Sequence, residues 1–194
     1  MHSKSYRFLT PLIMVLTWAN MEAQTSHPVP RLVVNVTIDQ LRTDYMEAFS
    51  SLFGAGGFNK VMRDGRSYMD AAYPFSHIDR ASAVACIMTG TVPYDNGIVG
   101  EHWMDRKTLR PMYCVDDATC EGWLTSEKYS PVALNVSTVT DELKMATGGR
   151  ALVYSIAPDA DAAILAAGHA ADGAFWIDNA SGQWSSTSYY GQYP

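Results

Sequence analysis

An apolar run near the N-terminus, residues 31–38 (RLVVNVTI), places the strongest constraint on the fold. The run is rich in β-branched residues, and it alternates too little for a strand that exposes one face to water. Such runs are typical of strands that are covered on both faces, as in a parallel sheet. A second run, residues 150–157 (RALVYSIA), is predicted to form another buried strand. The sequence therefore favours an α/β fold with a mostly parallel sheet.

Helical and extended segments alternate along the rest of the chain. Four helices are predicted, each ended by glycine or by a Thr-Gly pair: residues 57–64, 79–88, 137–147 and 158–167. Further strands are predicted at residues 67–73, 173–178 and 183–190. The last two form a hairpin with Gly182 in its turn. Residues 101–131 are polar and rich in turn residues, with no predicted element.

Any active site is expected within residues 73–103, which carry a polar turn, the helix at 79–88 and a loop punctuated by proline and glycine. In an α/β protein, the turn before such a helix lies at the carboxyl edge of the sheet. Unpaired N–H groups at the helix start favour anions there. The net charge of −6 and a pI near 5.2 exclude a strongly basic surface, so neither nucleic acid nor an anionic membrane is expected as a partner.

The N-terminus has the layout of a secretory signal peptide. Lys4 and Arg7 precede an apolar run at residues 8–19, and Ala23 marks a cleavage point. About 12 apolar residues are too few to cross a bilayer, so no transmembrane segment is expected in the mature chain. The predicted organisation is a signal peptide at residues 1–23, a short lead at 24–30 and one domain at 31–194. The protein is expected to be exported to the periplasm or the extracellular space.

The three cysteines leave two possibilities open. Cys114 and Cys120 flank VDDAT and could close a small disulfide loop, which would leave Cys86 as a buried thiol in its helix. Alternatively, all three are free thiols. No cysteine and histidine spacing of the zinc-knuckle type is present.

Four motifs in order give a specific resemblance. They are LVVNVTIDQLRTDY, GGFNKVMRDGRSY, MTGTVPYDNGIVG and SIAPDADAAILAAGHAADGAFWID. Together they resemble the alkaline phosphatase superfamily, and within it the secreted, zinc-dependent phosphomonoesterases with a threonine nucleophile, which are related to nucleotide pyrophosphatases and phosphodiesterases. The resemblance implies a three-layer α/β/α domain, a phosphate-ester substrate and bound Zn²⁺. Because the sequence stops just after the predicted hairpin, we expect residues 31–194 to be the N-terminal portion of a larger domain.

The resemblance assigns one metal ligand in this chain, Asp39, which ends the first predicted strand. A carboxylate at a strand's carboxyl edge is chemically suited to a divalent metal. The alternative is that Asp39 is a helix cap or a surface turn residue. The family's other metal ligands come from later in its domain.

The pocket positions depart from the family pattern. The family's threonine nucleophile stands nine residues before the threonine that matches Thr89, and this chain has Arg80 there. An arginine offers no lone pair to phosphorus. The family's phosphate-binding asparagine corresponds to Glu101, and its lysine and arginine correspond to Asp159 and Asp161. The resemblance therefore implies a pocket with inverted charge.

We expect Arg80 to pair with Asp159 or Asp161, unless these two carboxylates cap their own helix. A relocated nucleophile would be Ser82, Ser76 or the Asp79 carboxylate, but Ser82 should point away from the position of Arg80.

Three functions remain open from the sequence. The first is a non-catalytic binding or scaffold protein derived from a phosphatase. The second is an active metal-dependent phosphatase or phosphodiesterase with a rearranged site. The third is a module whose acidic pocket holds a structural cation.

Overall fold

The computed structural model of the chain describes residues 29–191. The chain divides into two units at the boundary between Val34 and Asn35. Of the first unit, only residues 29–34 are described, and they form neither helix nor strand. The predicted signal peptide and most of the predicted lead lie outside the described residues. No helix in the described part is long and apolar enough to cross a membrane.

The second unit contains every helix and strand of the described residues. Its helices are α1 (Thr43–Ala48), α2 (Gly57–Asp64), α3 (Arg80–Thr89), α4 (Pro93–Asn96), α5 (Val139–Ala146) and α6 (Ala160–Ala167), with a 3-10 turn at Ser50–Leu52. Its strands are β1 (His102–Met104), β2 (Pro111–Tyr113), β3 (Gly122–Trp123), β4 (Tyr154–Ile156), β5 (Gly173–Ile177) and β6 (Trp184–Thr187).

The strands form a two-stranded hairpin, β1–β2, and a four-stranded sheet in the order β3-β6-β5-β4. β4 and β5 are parallel and are joined through α6, whereas the β5–β6 and β6–β3 pairs are antiparallel. The described sheet is therefore mixed rather than mostly parallel.

The core lies where α3 packs on α6 and α6 packs on β5. Small side chains make this close approach possible, because Ala81, Ala85 and Ala163 are fully buried. A capping box between Asp79 and Ser82 begins α3, and Gly90 ends it at φ 68°, a left-handed conformation that favours glycine. This packing fixes the position of the α3 N-terminus against the start of α6.

The structure confirms the predicted helices at α2, α3, α5 and α6, as well as the hairpin of β5 and β6 with Gly182 at φ 69°. Terminal glycines marked the ends of these helices in the sequence. The β1–β2 hairpin in the turn-rich segment was not predicted.

The buried strand predicted at residues 31–38 is wrong for this structure. The segment forms neither helix nor strand, and Leu32 and Val36 are 79% and 75% exposed. A strand of this kind needs a hydrogen-bonded neighbour and cover on both faces. No strand among residues 29–191 pairs with it. The strand predicted at residues 67–73 is also absent from the described residues.

The predicted strand at residues 150–157 forms as β4, but it is not buried. Tyr154 and Ile156 share one face of β4, the end strand of the described sheet, and both are exposed because no described element covers that face. All three cysteines are free thiols, so the disulfide alternative is wrong for this structure. Cys114 and Cys120 are buried, Cys86 is only half-buried, and the Cys120 S–H donates to Asp117 Oδ2 at 3.4 Å.

Candidate functional site

The N-terminus of α3 already holds a carboxylate of the chain itself. Asp79 Oδ1 accepts hydrogen bonds from the backbone N–H of Ser82 at 2.9 Å and from Ser82 Oγ at 2.8 Å. Asp79 Oδ2 accepts the backbone N–H of Glu101 at 2.6 Å. Burial raises the pKa of Asp79, but these hydrogen bonds outweigh it and hold the pKa below its ordinary value. An ionised Asp79 therefore occupies the place that an anionic ligand would take at this helix start.

Arg80, the first residue of α3, lies within a cage of carboxylates. Its Nε and Nη2 donate to the two oxygens of Asp161, each at 3.0 Å. Its Nη1 lies 3.0 Å from Asp159 Oδ2, and Nη2 lies 3.6 Å from Glu101 Oε1. The Asp161 side chain is fully buried, and that of Arg80 is 25% exposed. The predicted pairing of Arg80 with Asp159 or Asp161 is confirmed, and both carboxylates take part.

The two aspartates do not cap α6 with their side chains. Asp159 stands at the N-cap position, yet its side chain makes no capping hydrogen bond. Asp161 lies in the first turn, where its backbone N–H donates to Tyr113 Oη at 3.2 Å. The alternative of ordinary helix caps is therefore excluded.

The charge of Arg80 is fixed by this cage. Burial lowers the pKa of Arg80, but the hydrogen bonds and charge of Asp161, with the charges of Asp159 and Glu101, raise it above its ordinary value. A permanently protonated guanidinium cannot act as a nucleophile or a base. Three carboxylates around one cation leave the cluster with excess negative charge.

A cleft of about 350 Å³ opens beside this cluster. Arg80, Glu101 and Asp159 lie at one end of the lining, and the side chains of Tyr113, Tyr129 and Trp176 also face it. Burial, followed by the nearby charge of Asp161, raises the pKa of Tyr113, so this hydroxyl stays protonated at neutral pH. No pattern in the sequence groups these aromatic residues, because only the fold brings β2, the 121–131 segment and β5 together.

The other candidate residues have structural partners. Ser82 is fully buried and its hydroxyl belongs to the capping box, which confirms that it points away from the pocket. His169 lies with Nδ1 3.0 Å from Asp141 Oδ2 and with Nε2 3.0 Å from the carbonyl oxygen of Leu134. Ser76 is exposed in the segment before α3.

Asp39 is exposed in the turn that follows residues 31–38. Burial, followed by the charges of Cys86 and Asp39, raises the pKa of Tyr73. Among residues 29–191, no group of three or more histidine, cysteine, aspartate or glutamate side chains could hold a metal ion. The described residues therefore do not fit a complete zinc site, and Asp39 stays a predicted ligand.

Comparison with known proteins agrees with the fold and the order of the motifs. The family model for type I phosphodiesterases and nucleotide pyrophosphatases matches residues 33–193. The chain belongs to this family. Within it, alkaline phosphatase PhoV of Synechococcus elongatus is 40% identical over 166 residues, covering 84% of this chain and 30% of PhoV.

The crystal structure of wild-type alkaline phosphatase PafA superposes on this family member with a TM-score of 0.80 at 34% identity, covering 84% of this chain and 32% of PafA. A PafA variant in which one threonine becomes serine, and an asparagine, a lysine and an arginine become alanine, gives a TM-score of 0.73. The alkaline-phosphatase-like α/β fold is thus confirmed. The chain spans about a third of the length of these relatives.

Proposed function

We propose that this chain is part of an exported member of the family that has lost phosphate-ester hydrolysis and serves as a non-catalytic binding protein. The observation that carries the proposal is the bidentate pair between Arg80 and the buried Asp161. Arg80 occupies the predicted nucleophile position, and Asp161 occupies a predicted phosphate-binding position. Export rests on the signal-peptide pattern of residues 1–23.

The PafA variant supports the choice of pocket positions. Its substituted threonine and asparagine are 21 residues apart, and its substituted lysine and arginine are 2 residues apart. The same separations hold between Arg80 and Glu101 and between Asp159 and Asp161. The four substituted residues of PafA are a threonine, an asparagine, a lysine and an arginine. These are the same residue types that the motifs match to Arg80, Glu101, Asp159 and Asp161.

Two physical effects oppose phosphate in this pocket. Each carboxylate that faces a phosphate dianion repels it by about 1–4 kcal/mol, depending on the effective dielectric constant. A phosphate that bound the guanidinium of Arg80 in place of Asp161 would leave the Asp161 carboxylate buried and unpaired. Breaking a buried ion pair in this way costs about 3–5 kcal/mol of free energy. Lost clamping groups remove further stabilisation of the transition state.

A phosphatase with a relocated serine is less well supported. Ser82 is buried and hydrogen-bonded within its capping box. We include a zinc ion at Asp39 in the proposal on the strength of the family resemblance alone. Zinc bound there would supply Lewis-acid chemistry, for which this pocket offers no matching nucleophile.

Steady-state assays of the full-length protein with Zn²⁺ test the proposal, using p-nitrophenyl phosphate and bis(p-nitrophenyl) phosphate. We expect no turnover above the zinc-containing buffer. Turnover that survives in Arg80→Ala but disappears in Asp39→Ala would overturn the proposal. Asp44→Ala serves as the matched control, because Asp44 is an exposed carboxylate five residues away that pairs with Arg42.

A further inference from the structure

A row of aromatic rings runs through the cleft beside Arg80. We call it the aromatic row: His102, Tyr113, Tyr129 and Trp176. Successive ring centroids are 4.8, 5.2 and 6.0 Å apart. The rings pack on one another in stacked, edge-to-face and tilted arrangements, with interplanar angles of 29°, 62° and 46°. They line a space whose volume is within the range of small-molecule sites.

The charges that line the same cleft are mostly negative. Four carboxylates belong to the lining: Glu101, Glu127, Asp159 and Asp178. Arg80 is the one Lys or Arg among the lining residues that the structure describes. Its charge is already neutralised by its two hydrogen bonds to the buried Asp161. Glu127 is exposed and accepts a hydrogen bond from the hydroxyl of Tyr129, so a carboxylate lies directly beside an aromatic ring.

Trp176 adds an unpaired donor. Its side chain is 3% exposed and lines the cleft. Its indole N–H donates to no acceptor among residues 29–191, although its ring contacts Tyr129. Buried indole N–H groups usually have a partner, so a ligand with a hydrogen-bond acceptor would satisfy this one.

We propose that this cleft binds a small organic ammonium ion that also carries a neutral carbonyl oxygen. The rings of Tyr113, Tyr129 and Trp176 attract the cation, and the carboxylates favour the same charge. The indole N–H of Trp176 donates to the carbonyl. A bare metal ion fits less well, because the carboxylates are spread along the cleft and no group of three ligands converges among the described residues.

This inference rests on the proposed loss of phosphate binding, since both concern the end of the cleft at Arg80. The two remain separable by measurement. Phosphate-ester turnover together with ammonium binding would refute the proposed function alone. Absence of both turnover and ammonium binding would refute this inference alone.

The test is isothermal titration of the full-length protein at pH 6.5 with leucinamide and with 4-methylpentanamide, which has the same skeleton without the amine. Inorganic phosphate is the third titrant. We expect leucinamide to bind at least about tenfold more tightly than 4-methylpentanamide, and phosphate to show no binding. Equal affinity for the two amides, no detectable leucinamide binding, or tighter binding of phosphate would each overturn the inference.

Matched variants locate the site. Glu127→Gln keeps an acceptor for the Tyr129 hydroxyl and removes one charge, so leucinamide affinity should fall by about threefold to tenfold. Trp176→Phe keeps an aromatic ring and removes the N–H donor, which should weaken leucinamide further. Glu47→Gln makes the same charge change on an exposed face of α1, outside the cleft lining, and should leave the affinity unchanged. A loss in Glu47→Gln equal to that in Glu127→Gln would contradict the site, provided all variants melt cooperatively.

Discussion

Two buried carboxylates, Asp141 and Asp161, lie in the first turns of α5 and α6, and they are satisfied in different ways. Asp141 accepts backbone N–H groups from Thr138 at 2.9 Å and His169 at 2.8 Å, and it also lies 3.0 Å from the imidazole of His169. Asp161 accepts two side-chain hydrogen bonds from one guanidinium, that of Arg80. The first carboxylate fixes local backbone, whereas the second neutralises a side chain from another helix.

Asp141 therefore stabilises a structural junction between α5 and the turn after α6, whereas Asp161 belongs to the pocket whose charges depart from the family pattern. The bonds of Asp141 hold the start of α5 against the turn after α6, where Gly168 adopts φ 76°. A Cβ at Gly168 would lie 2.2 Å from Thr138 Oγ1, so this turn requires glycine. Arg80 and Asp161 are 81 residues apart and meet at the cleft. Changes at the first site should affect folding alone, while changes at the second should affect folding and ligand preference.

The largest effect is expected for Asp141→Ala. The substitution leaves several buried N–H donors without an acceptor, and it should lower the free energy of unfolding by about 3–5 kcal/mol. Urea denaturation measures this value. Glu142→Ala, at the exposed neighbouring carboxylate, should cost less than about 1 kcal/mol. If both variants lost a similar free energy of unfolding, the buried Asp141 would stabilise the fold no more than the exposed Glu142 does, which contradicts this account.

Arg80→Ala should come next, at about 3 kcal/mol, because it leaves the Asp161 carboxylate buried and unpaired. A double-mutant cycle with Asp161→Ala sharpens the comparison. The double variant should lose at least about 1 kcal/mol less than the sum of the single losses, since the two groups contact each other. Additive losses in urea denaturation would show that the pair is not coupled.

Lowering the pH should reduce the folding stability that hydrogen-bonded carboxylates contribute. Burial raises the pKa of Asp141, but hydrogen bonds from Thr138, His169 and Ala170 lower it overall. Hydrogen bonds from Ser130 and Thr119 lower the pKa of Asp117 to about 2. Both groups are more acidic in the folded state, so their stabilisation is complete above about pH 4 and is lost as the pH falls toward 2.

Thermal melts between pH 6 and pH 2 check this dependence. Asp117→Asn should reduce the acid-induced loss by about 1 kcal/mol, because the amide has no charge to lose. Asp95→Asn, at an exposed carboxylate on α4, is the matched control and should follow the parent curve. Identical curves for the parent and Asp117→Asn would contradict the role of these hydrogen bonds.

The smallest effect is expected for Glu101→Gln. Its carboxylate lies 3.6 Å from Arg80 and its side chain is 38% exposed, so the ion pair should contribute about 0.2–1 kcal/mol. The backbone N–H of Glu101 still reaches Asp79 in this variant. If Glu101→Gln lowered the free energy of unfolding in urea as much as Arg80→Ala, then Glu101 rather than Asp161 would be the main partner of Arg80.

The sequence predicted well those features that depend on neighbouring residues. The Thr-Gly stop at Gly90 marked the end of α3. Arg80, Glu101, Asp159 and Asp161 are distant in sequence, and the family resemblance rather than a local pattern placed them in one pocket. Features that depend on distant partners were harder to predict. The apolar pattern of residues 31–38 predicted a buried strand without showing what would cover it. The aromatic row of the cleft follows no sequence period, because it is assembled from separate segments.

The most direct test of an inverted phosphate pocket is to restore the family residues in the full-length protein. The variant carries Arg80→Thr, Glu101→Asn, Asp159→Lys and Asp161→Arg, and kcat/KM for p-nitrophenyl phosphate is measured with Zn²⁺. We predict a kcat/KM at least about a hundredfold above the detection limit of the assay, at which the parent shows no turnover, since a nucleophile and the groups that stabilise the transition state return together. A variant that melts cooperatively and binds zinc as the parent does, yet hydrolyses no faster, would contradict the account.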